Sequence, residues 1–170
     1  MKYLLIFSVS LLLSYGPIFA DETVSLGKEV TLHYTLTLDD GSVVSSTRGK
    51  SPLNYIHGTH KLVPGLEKAL EGMHTGETKS VLVKPEDAYG QFEAGKIVEV
   101  KKSDVQGDLK VGAFLQGSRP NGEVVRSRIL EIKDDSVVLD FNHPMAGKNL
   151  HYDIEVLEIK NSAASPVKKD

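Results

Sequence analysis

Two segments with a two-residue apolar period lie near opposite ends of the chain. KEVTLHYTLTL (28–38) and NLHYDIEVLEIK (149–160) both alternate apolar or aromatic side chains with polar ones. This alternation is typical of half-buried β-strands, and the β-branched residues of the first segment favour the same structure. The two strands predict a small domain that begins early in the chain and is completed only near its end.

The region after the first strand supplies further elements of that domain. Asp39-Asp40-Gly41 predicts a tight turn, so SVVSST (42–47) is expected to return as the hairpin partner of the first strand. ETKSVLVK (77–84) predicts another strand, which Pro85 ends.

One amphipathic helix is predicted between these strands. Pro64 suits a first helical turn, Glu67 complements the positive end of the helix, and Gly72 and Gly76 bracket its end. Apolar residues recur at helical spacing at Leu66, Ala69, Leu70 and Met73. The apolar stripe is short, which suits a single helix laid across a curved sheet.

The middle of the chain has a β pattern of its own. Short apolar segments occur at 96–105, 109–132 and 136–141, with hairpin turns predicted at Asn121-Gly122 and Asp134-Asp135. A unit of this size is near the lower limit for independent stability, so it is expected to be an insert supported by the surrounding domain. Its predicted core consists of Val98, Val100, Val105, Leu109, Val111, Phe114, Val124, Ile129, Ile132, Val137 and Leu139.

The N-terminal residues 1–20 have the layout of a secretory signal peptide. Lys2 precedes an interrupted apolar run that ends at Ala20, and cleavage there would make Asp21 the first residue. The protein is therefore expected to be exported, periplasmic or secreted, with no stable membrane association after cleavage. An uncleaved anchor is the alternative, because Ile18 is not the small residue preferred three positions before a cleavage site.

Composition excludes several classes of function. The net charge is −3 and there is no strong basic patch, so nucleic acid is not expected as a partner. The chain has no cysteine, which excludes disulfides, thiolate chemistry and a lipid-bearing cysteine after the signal. NSAASPVKKD (161–170) is small and polar, and a disordered tail is predicted there.

Several motifs in a fixed order identify a family. The motifs are HYTLTLDDG (33–41), SPLNYIHG (51–58), LVPGLEKALEGM (62–73), PEDAYG (85–90) and NHPMAGKNLHYDIEV (142–156). Together they resemble the FKBP-type peptidyl-prolyl isomerases, in particular the SlyD-like branch, and they cover the chain outside the signal, the middle segment and the tail.

The resemblance implies both a fold and an activity. The implied fold is α+β, an antiparallel sheet curved around one short helix, with a small β-rich inserted domain. Residues 21–91 and 142–160 would form the isomerase domain, and 92–141 an insert-in-flap domain that captures unfolded chains. The implied protein is a monomeric enzyme without a cofactor that acts on unfolded or proline-containing polypeptides.

Prolyl isomerisation needs a particular kind of pocket. The barrier is about 18–20 kcal/mol, because the amide must lose its resonance as it twists. No nucleophile, acid or metal is required. An apolar site that holds the proline ring and favours the twisted amide is sufficient, together with a few donors for neighbouring carbonyls.

The resemblance assigns that pocket position by position. Tyr89 would donate its hydroxyl to a substrate carbonyl, Tyr34 and Tyr152 are the other implied catalytic residues, and the Val63 amide would bind a second carbonyl. Ordinary core packing is the alternative for Tyr34, Leu66 and Tyr152, which lie on apolar faces. Tyr89 has no evident packing role. The implied substrate-binding residues are Val44, Ser45, Leu53, Leu62, Val63 and Leu66.

One position departs from the usual pattern of the family. An aspartate normally follows the position of Val44, and this chain has Ser45, which can hydrogen-bond but carries no charge. The departure predicts a working isomerase with lower activity or an altered preference for the residue before proline. The alternative function is a holdase-type chaperone or peptide-binding module with weak isomerase activity.

Six histidines raise the question of a metal site. His57 and His60 are close enough in sequence to share an ion, but scattered structural histidines are the commoner arrangement. SlyD-like proteins that bind nickel usually carry a histidine- and cysteine-rich tail, and residues 161–170 contain neither. No metal site is predicted.

Overall fold

The computed structural model describes residues 22–118, 122 and 124–162. The predicted signal peptide, Asn121 of the predicted hairpin turn and residues 163–170 of the predicted tail lie outside them. The elements in chain order are β1 (Lys28–Thr37), β2 (Val43–Ser46), β3 (Leu53–Ile56), α1 (Pro64–Leu70), β4 (Thr78–Val83), β5 (Ile97–Lys101), β6 (Phe114–Ser118), β7 (Val124–Ile132), β8 (Ser136–Asp140) and β9 (Leu150–Asn161).

A five-stranded antiparallel sheet forms the main body. Its central strands are β1 and β9, which pair from Lys28↔Asn161 to Thr37↔His151. β4 extends the sheet beyond β9, while β2 and β3 pair with successive parts of the free edge of β1. The predicted antiparallel α+β fold is confirmed, and Asn161 ends a strand rather than beginning the tail.

The core lies where α1 meets the apolar face of this sheet. Leu66 and Leu70 of α1 are buried together with Leu32 of β1 and Ile154 of β9. Each such side chain contributes about 1.5–3 kcal/mol when it is removed from water. The helix ends at Leu70, and Met73 is nevertheless buried in the same core.

Glu67 lies in the first turn of α1, as predicted, but it does more than complement the helix. Its side chain is buried, and Oε1 accepts the Gly58 N–H at 3.0 Å. Oε2 lies 3.5 Å from Nδ1 of His60. The carboxylate therefore ties the helix to the loop that follows β3.

A second, four-stranded antiparallel sheet has the order β5-β8-β7-β6. Ile129, Val137 and Leu139 are buried in its core, as predicted, and Asp134-Asp135 lies at the β7–β8 turn. Four predicted core residues are instead exposed by between 40% and 58%, namely Val98, Val111, Phe114 and Val124. Phe114 and Val124 lie on the face of the sheet that is turned away from the buried core. Val98 is on the edge strand β5, and Val111 precedes β6.

Two connecting segments link the sheets and run side by side. Oδ1 of Asn142 accepts the Glu93 N–H at 3.0 Å, and Nδ2 of Asn142 donates to the Glu93 carbonyl at 3.0 Å. The Phe141 N–H bonds the Lys96 carbonyl at 3.0 Å. All four strands of the second sheet lie within 92–141, whose assignment as an insert-in-flap domain stays a prediction.

Among the described residues, no helix is long and apolar enough to cross a membrane.

Candidate active site

A cavity of about 510 Å³ opens on one side of the five-stranded sheet. All the residues predicted to be catalytic or substrate-binding line it, although they come from six separate parts of the chain. The structure therefore brings the whole predicted set together, while the role of each residue stays a prediction. The lining consists of Tyr34, Leu36, Val44, Ser45, Leu53, His60, Lys61, Leu62, Val63, Leu66, Tyr89, Met145 and Tyr152.

Two tyrosine rings and one leucine form the apolar interior of the cavity. The rings of Tyr34 on β1 and Tyr152 on β9 lie 6.0 Å apart at an interplanar angle of 55°. Leu66 and Tyr152 are only 3% and 5% exposed. These side chains therefore pack in the core and also line the cavity, so the two interpretations offered by the sequence do not exclude each other.

Ser45 forms a hydrogen bond with Tyr34 at the cavity. The β1–β2 hairpin places it beside β1, and its Oγ lies 3.1 Å from Oη of Tyr34. A neutral hydroxyl thus occupies the position where the resemblance predicts a carboxylate. Ser45 also lines the cavity itself.

The cavity offers hydrogen-bond donors that no described residue engages. Within the described part of the chain, Tyr89 Oη, Tyr152 Oη and the Val63 N–H make no hydrogen bond. Burial, with smaller contributions from Tyr89 and Tyr34, raises the pKa of Tyr152 to about 12. The Tyr152 phenol is therefore protonated at neutral pH and can act as a donor.

Tyr89 has a packing partner, contrary to the sequence-based interpretation. Its ring is stacked on the His143 imidazole, with centroids 3.9 Å apart and an interplanar angle of 5°. His143 Nδ1 accepts the Met145 N–H at 3.1 Å, and partial burial lowers the pKa of His143. The segment that follows the second sheet thus supports the side chain to which the resemblance assigns the donor role.

Sequence reasoning missed four residues of the lining. Leu36 follows Tyr34 on the apolar face of β1, so the strand period could have identified it. Met145 lies within the motif at 142–156. His60 and Lys61 lie in the β3–α1 loop, which has no periodic signal, and His60 has a φ of 55°.

The histidines considered for metal binding have other partners. His57 Nδ1 lies 2.9 Å from Tyr55 Oη, and its Nε2 lies 2.5 Å from Glu71 Oε2. His60 faces Glu67. Among the described residues no three His, Cys, Asp or Glu side chains are grouped as a metal site requires.

Comparison with known proteins places the chain in a family. The profile of the FKBP-type peptidyl-prolyl cis-trans isomerases matches residues 20–157. The chain is 38% identical over 141 residues to the FKBP-type peptidyl-prolyl cis-trans isomerase SlyD of Aeromonas hydrophila, an alignment that covers 79% of this chain and 64% of that protein.

Two shorter relatives match over nearly their whole length. The probable FKBP-type 16 kDa peptidyl-prolyl cis-trans isomerase of Pseudomonas fluorescens is 33% identical over 144 residues, covering 84% of this chain and 96% of the relative. The FKBP-type 16 kDa peptidyl-prolyl cis-trans isomerase of Escherichia coli strain K12 is 36% identical over 141 residues, covering 81% and 95%. The chain belongs to the family of FKBP-type peptidyl-prolyl cis-trans isomerases.

Proposed function

We propose that this protein catalyses cis–trans isomerisation of the peptide bond before proline in polypeptide clients, at the cavity described above. The observation that carries the proposal is the convergence of apolar walls and unengaged donors on one site. Tyr34, Leu66 and Tyr152 supply the walls, and Tyr89 Oη and the Val63 N–H supply donors. The family to which the chain belongs supports the same activity.

The mechanism is selective binding of the twisted amide. The proline ring packs against Tyr34, Tyr152 and Leu66, in surroundings with little water. The twisted amide has less charge separation than the planar one, so an apolar site stabilises it relative to the ground state. Tyr89 Oη and the Val63 N–H hold the neighbouring carbonyls, so that rotation takes place about a fixed axis.

The primary test is an NMR exchange assay on an Ala-Pro tetrapeptide. The wild-type protein should accelerate the exchange. Tyr89→Phe keeps the ring that stacks on His143 and removes only the hydroxyl, so kcat/KM should fall about five-fold, the effect of one hydrogen bond. A wild-type protein that leaves exchange unchanged at every tested residue before proline refutes the activity.

We also propose that the second sheet holds unfolded client chains beside the cavity. The face turned away from its buried core carries exposed apolar side chains, Phe114 and Val124. Exposed apolar patches of this kind are typical of surfaces that bind other chains. Holding a client there raises the concentration of its prolines near the active site without any new catalytic contact.

A deletion of residues 95–139 separates the two roles. The buried core around α1 contains no residue of 92–141, and the Asn142–Glu93 hydrogen bonds keep the ends of the deletion close together. With a short glycine linker, the deletion should spare tetrapeptide isomerisation and slow the catalysed refolding of a proline-limited protein. Equal losses in the two assays contradict the division of roles.

A holdase with weak isomerase activity is the second candidate, and Ser45 favours it because the family's usual carboxylate is missing. Suppression of client aggregation at full strength, together with tetrapeptide catalysis near the uncatalysed rate, would select it.

We further propose that the protein works after export, on the strength of the signal-like residues 1–20. N-terminal sequencing of the protein from its native host tests this. Asp21 as the first residue supports export with cleavage, whereas an intact Met1 contradicts cleavage, and an intact Met1 in the cytoplasmic fraction contradicts export.

A further inference from the structure

We propose that the groove lined by Arg126 and Arg128, between the second sheet and the segment 141–144 that leads back to β9, binds an acidic segment of the client close to the proline held in the active-site cavity. The inference rests on the proposed isomerase function and adds a charge preference to it. The occupant is a stretch of the same polypeptide that is being isomerised.

The groove has a volume of about 340 Å³ and two distinct sides. Phe114 of β6 and the two arginines of β7 form one side. Phe141 and His143, on the segment that leads back to β9, form the other. The groove therefore carries positive charge and has aromatic side chains on both sides. It lies beside the segment that connects the second sheet to β9.

Both arginines are available to a ligand. Arg126 and Arg128 occupy alternate positions of β7, so their side chains lie on the same face of the sheet, while Ser127 between them is buried. The Arg126 guanidinium lies 5.5 Å from the centre of the Phe114 ring. Neither arginine forms an ion pair or hydrogen bond with any residue that the structure describes.

The carboxylate that lies opposite Arg128 on the neighbouring strand, that of Asp140, has one oxygen engaged by Asn142. Asp140 pairs in register with Arg128, but its Oδ1 accepts hydrogen bonds from the Asn142 N–H at 2.9 Å and from Asn142 Nδ2 at 2.8 Å. Two adjacent guanidinium groups, neither paired with a described residue, are complementary to carboxylates, which guanidinium binds in a planar, two-point geometry.

The groove and the active-site cavity share a wall. His143 lines the groove, Tyr89 lines the cavity, and their stacked rings are 3.9 Å apart. An extended chain advances about 3.3 Å per residue. A client with its proline in the cavity therefore reaches the groove within about two to four residues, which makes the arginines determinants of sequence preference around that proline.

The test compares two peptide series in the full-length protein. One series has an Asp-Glu pair two to four residues before or after the proline, and the other has Asn-Gln at the same places. On one side of the proline, wild-type kcat/KM should be about three- to ten-fold higher for the acidic peptide, the range that a pair of partly exposed charge contacts supplies. The ratio should decrease towards one at high salt.

Variants then assign the preference to the groove. The double variant Arg126→Gln/Arg128→Gln should bring the ratio close to one, and Arg126→Lys/Arg128→Lys should keep part of it. Lys101→Gln is the matched control, because it removes a positive charge from the exposed edge strand β5 at the far side of the same sheet. It should leave the ratio as in the wild type.

The outcomes separate the two proposals. Equal wild-type rates for acidic and neutral peptides on both sides of the proline overturn the groove proposal, as does a preference that persists in the double glutamine variant. Absence of turnover on the neutral peptides refutes the isomerase function itself. Turnover without a charge preference refutes the groove alone.

Discussion

The phenol ring of Tyr89 lies parallel to the imidazole of His143, at a centroid distance of 3.9 Å. His143 is itself held by the Met145 N–H, which donates to Nδ1 at 3.1 Å. An N–H donor needs an unprotonated acceptor, so this bond selects the neutral imidazole with its proton on Nε2. The orientation of the proposed carbonyl donor thus depends on the turn that follows the second sheet.

We expect His143→Ala to lower kcat/KM on an Ala-Pro tetrapeptide by about three- to ten-fold, because loss of a stacked ring worth about 0.5–1.5 kcal/mol frees the Tyr89 side chain. His143→Phe preserves a ring for stacking and should retain most of the activity. If the alanine and phenylalanine variants lose activity equally, stacking is not what positions Tyr89.

The same contact predicts a loss of activity in acid. Burial keeps the pKa of His143 below its ordinary value of 6.5, so the wild type should hold its kcat/KM as pH falls past 6.5 and lose it at lower pH. Protonation places a hydrogen on Nδ1, which breaks the bond from Met145. His143→Phe should show no such loss, whereas His60→Gln, which alters the histidine that lines the cavity itself, should behave like the wild type.

The 3.1 Å contact between Ser45 Oγ and Tyr34 Oη predicts the effect of restoring a carboxylate. In Ser45→Asp the hydroxyl of Tyr34 would donate to a charged acceptor, a bond roughly twice as strong as the neutral one. We expect kcat/KM to rise about three- to ten-fold in the tetrapeptide assay. In Ser45→Ala, which leaves Tyr34 without this partner, it should fall.

A double-mutant cycle checks that the effect passes through Tyr34. In a Tyr34→Phe background no hydroxyl remains to make the bond, so Ser45→Asp should give no gain. A gain of the same size in both backgrounds assigns the effect to the charge alone, and no change in either removes Ser45 as the residue that tunes activity.

The long strands could be predicted because one face of each is buried. In β1 and β9 the period of two marks that face directly, and the residues it selects, such as Val30, Leu32 and Ile154, are almost fully buried. The helix was expected to run towards Met73 but ends at Leu70. Gly72, with a φ of 78°, turns the chain, and the Val24 N–H then bonds the Met73 carbonyl at 2.8 Å.

The cavity could not be predicted from periodicity, because each part of the chain contributes only one or a few residues to it. Alternation places Tyr34 and Tyr152 in a core, and only the order of the motifs indicates a shared pocket. Neither the strand period nor the order of the motifs indicates the Tyr89–His143 stack, because the two residues lie on segments that are separated in the sequence by the insert. These segments meet in the fold, where the Gly147 N–H bonds the Gly90 carbonyl at 2.9 Å. In the second sheet both faces carry apolar residues, so the sequence does not indicate which face is buried.

The close packing around Gly65 limits which residues this position of α1 can hold. A Cβ at this position would lie 2.5 Å from Val83 Cγ1 and 3.0 Å from Asp87 Cβ. Gly65→Ala should therefore lower the free energy of unfolding by about 1–3 kcal/mol in a urea titration, the usual cost of overpacking. Gly95→Ala is the matched control, since no atom lies within 4 Å of its Cβ, and it should change the value by less than about 0.5 kcal/mol.

Burial of the Tyr152 phenol predicts a loss of stability in alkali. Its pKa is about 12 in the folded protein, against an ordinary value of 10.0, so between these values the unfolded chain releases a proton that the folded protein keeps. The contribution to stability is complete below pH 10 and decreases as the pH rises, by about 1 kcal/mol at pH 11. Urea titrations at pH 8 and pH 11 measure that decrease.

Tyr152→Phe removes the ionisable group and keeps the ring, so its free energy of unfolding should fall less between the two pH values than that of the wild type. Part of the decrease should persist, because burial also raises the pKa of Tyr55. Comparing each protein with itself at pH 8 cancels any effect of the substitution on packing. Equal decreases in the two proteins would mean that the phenol of Tyr152 titrates in the folded state as it does in the unfolded chain, and its hydroxyl would then face water instead of the apolar cavity.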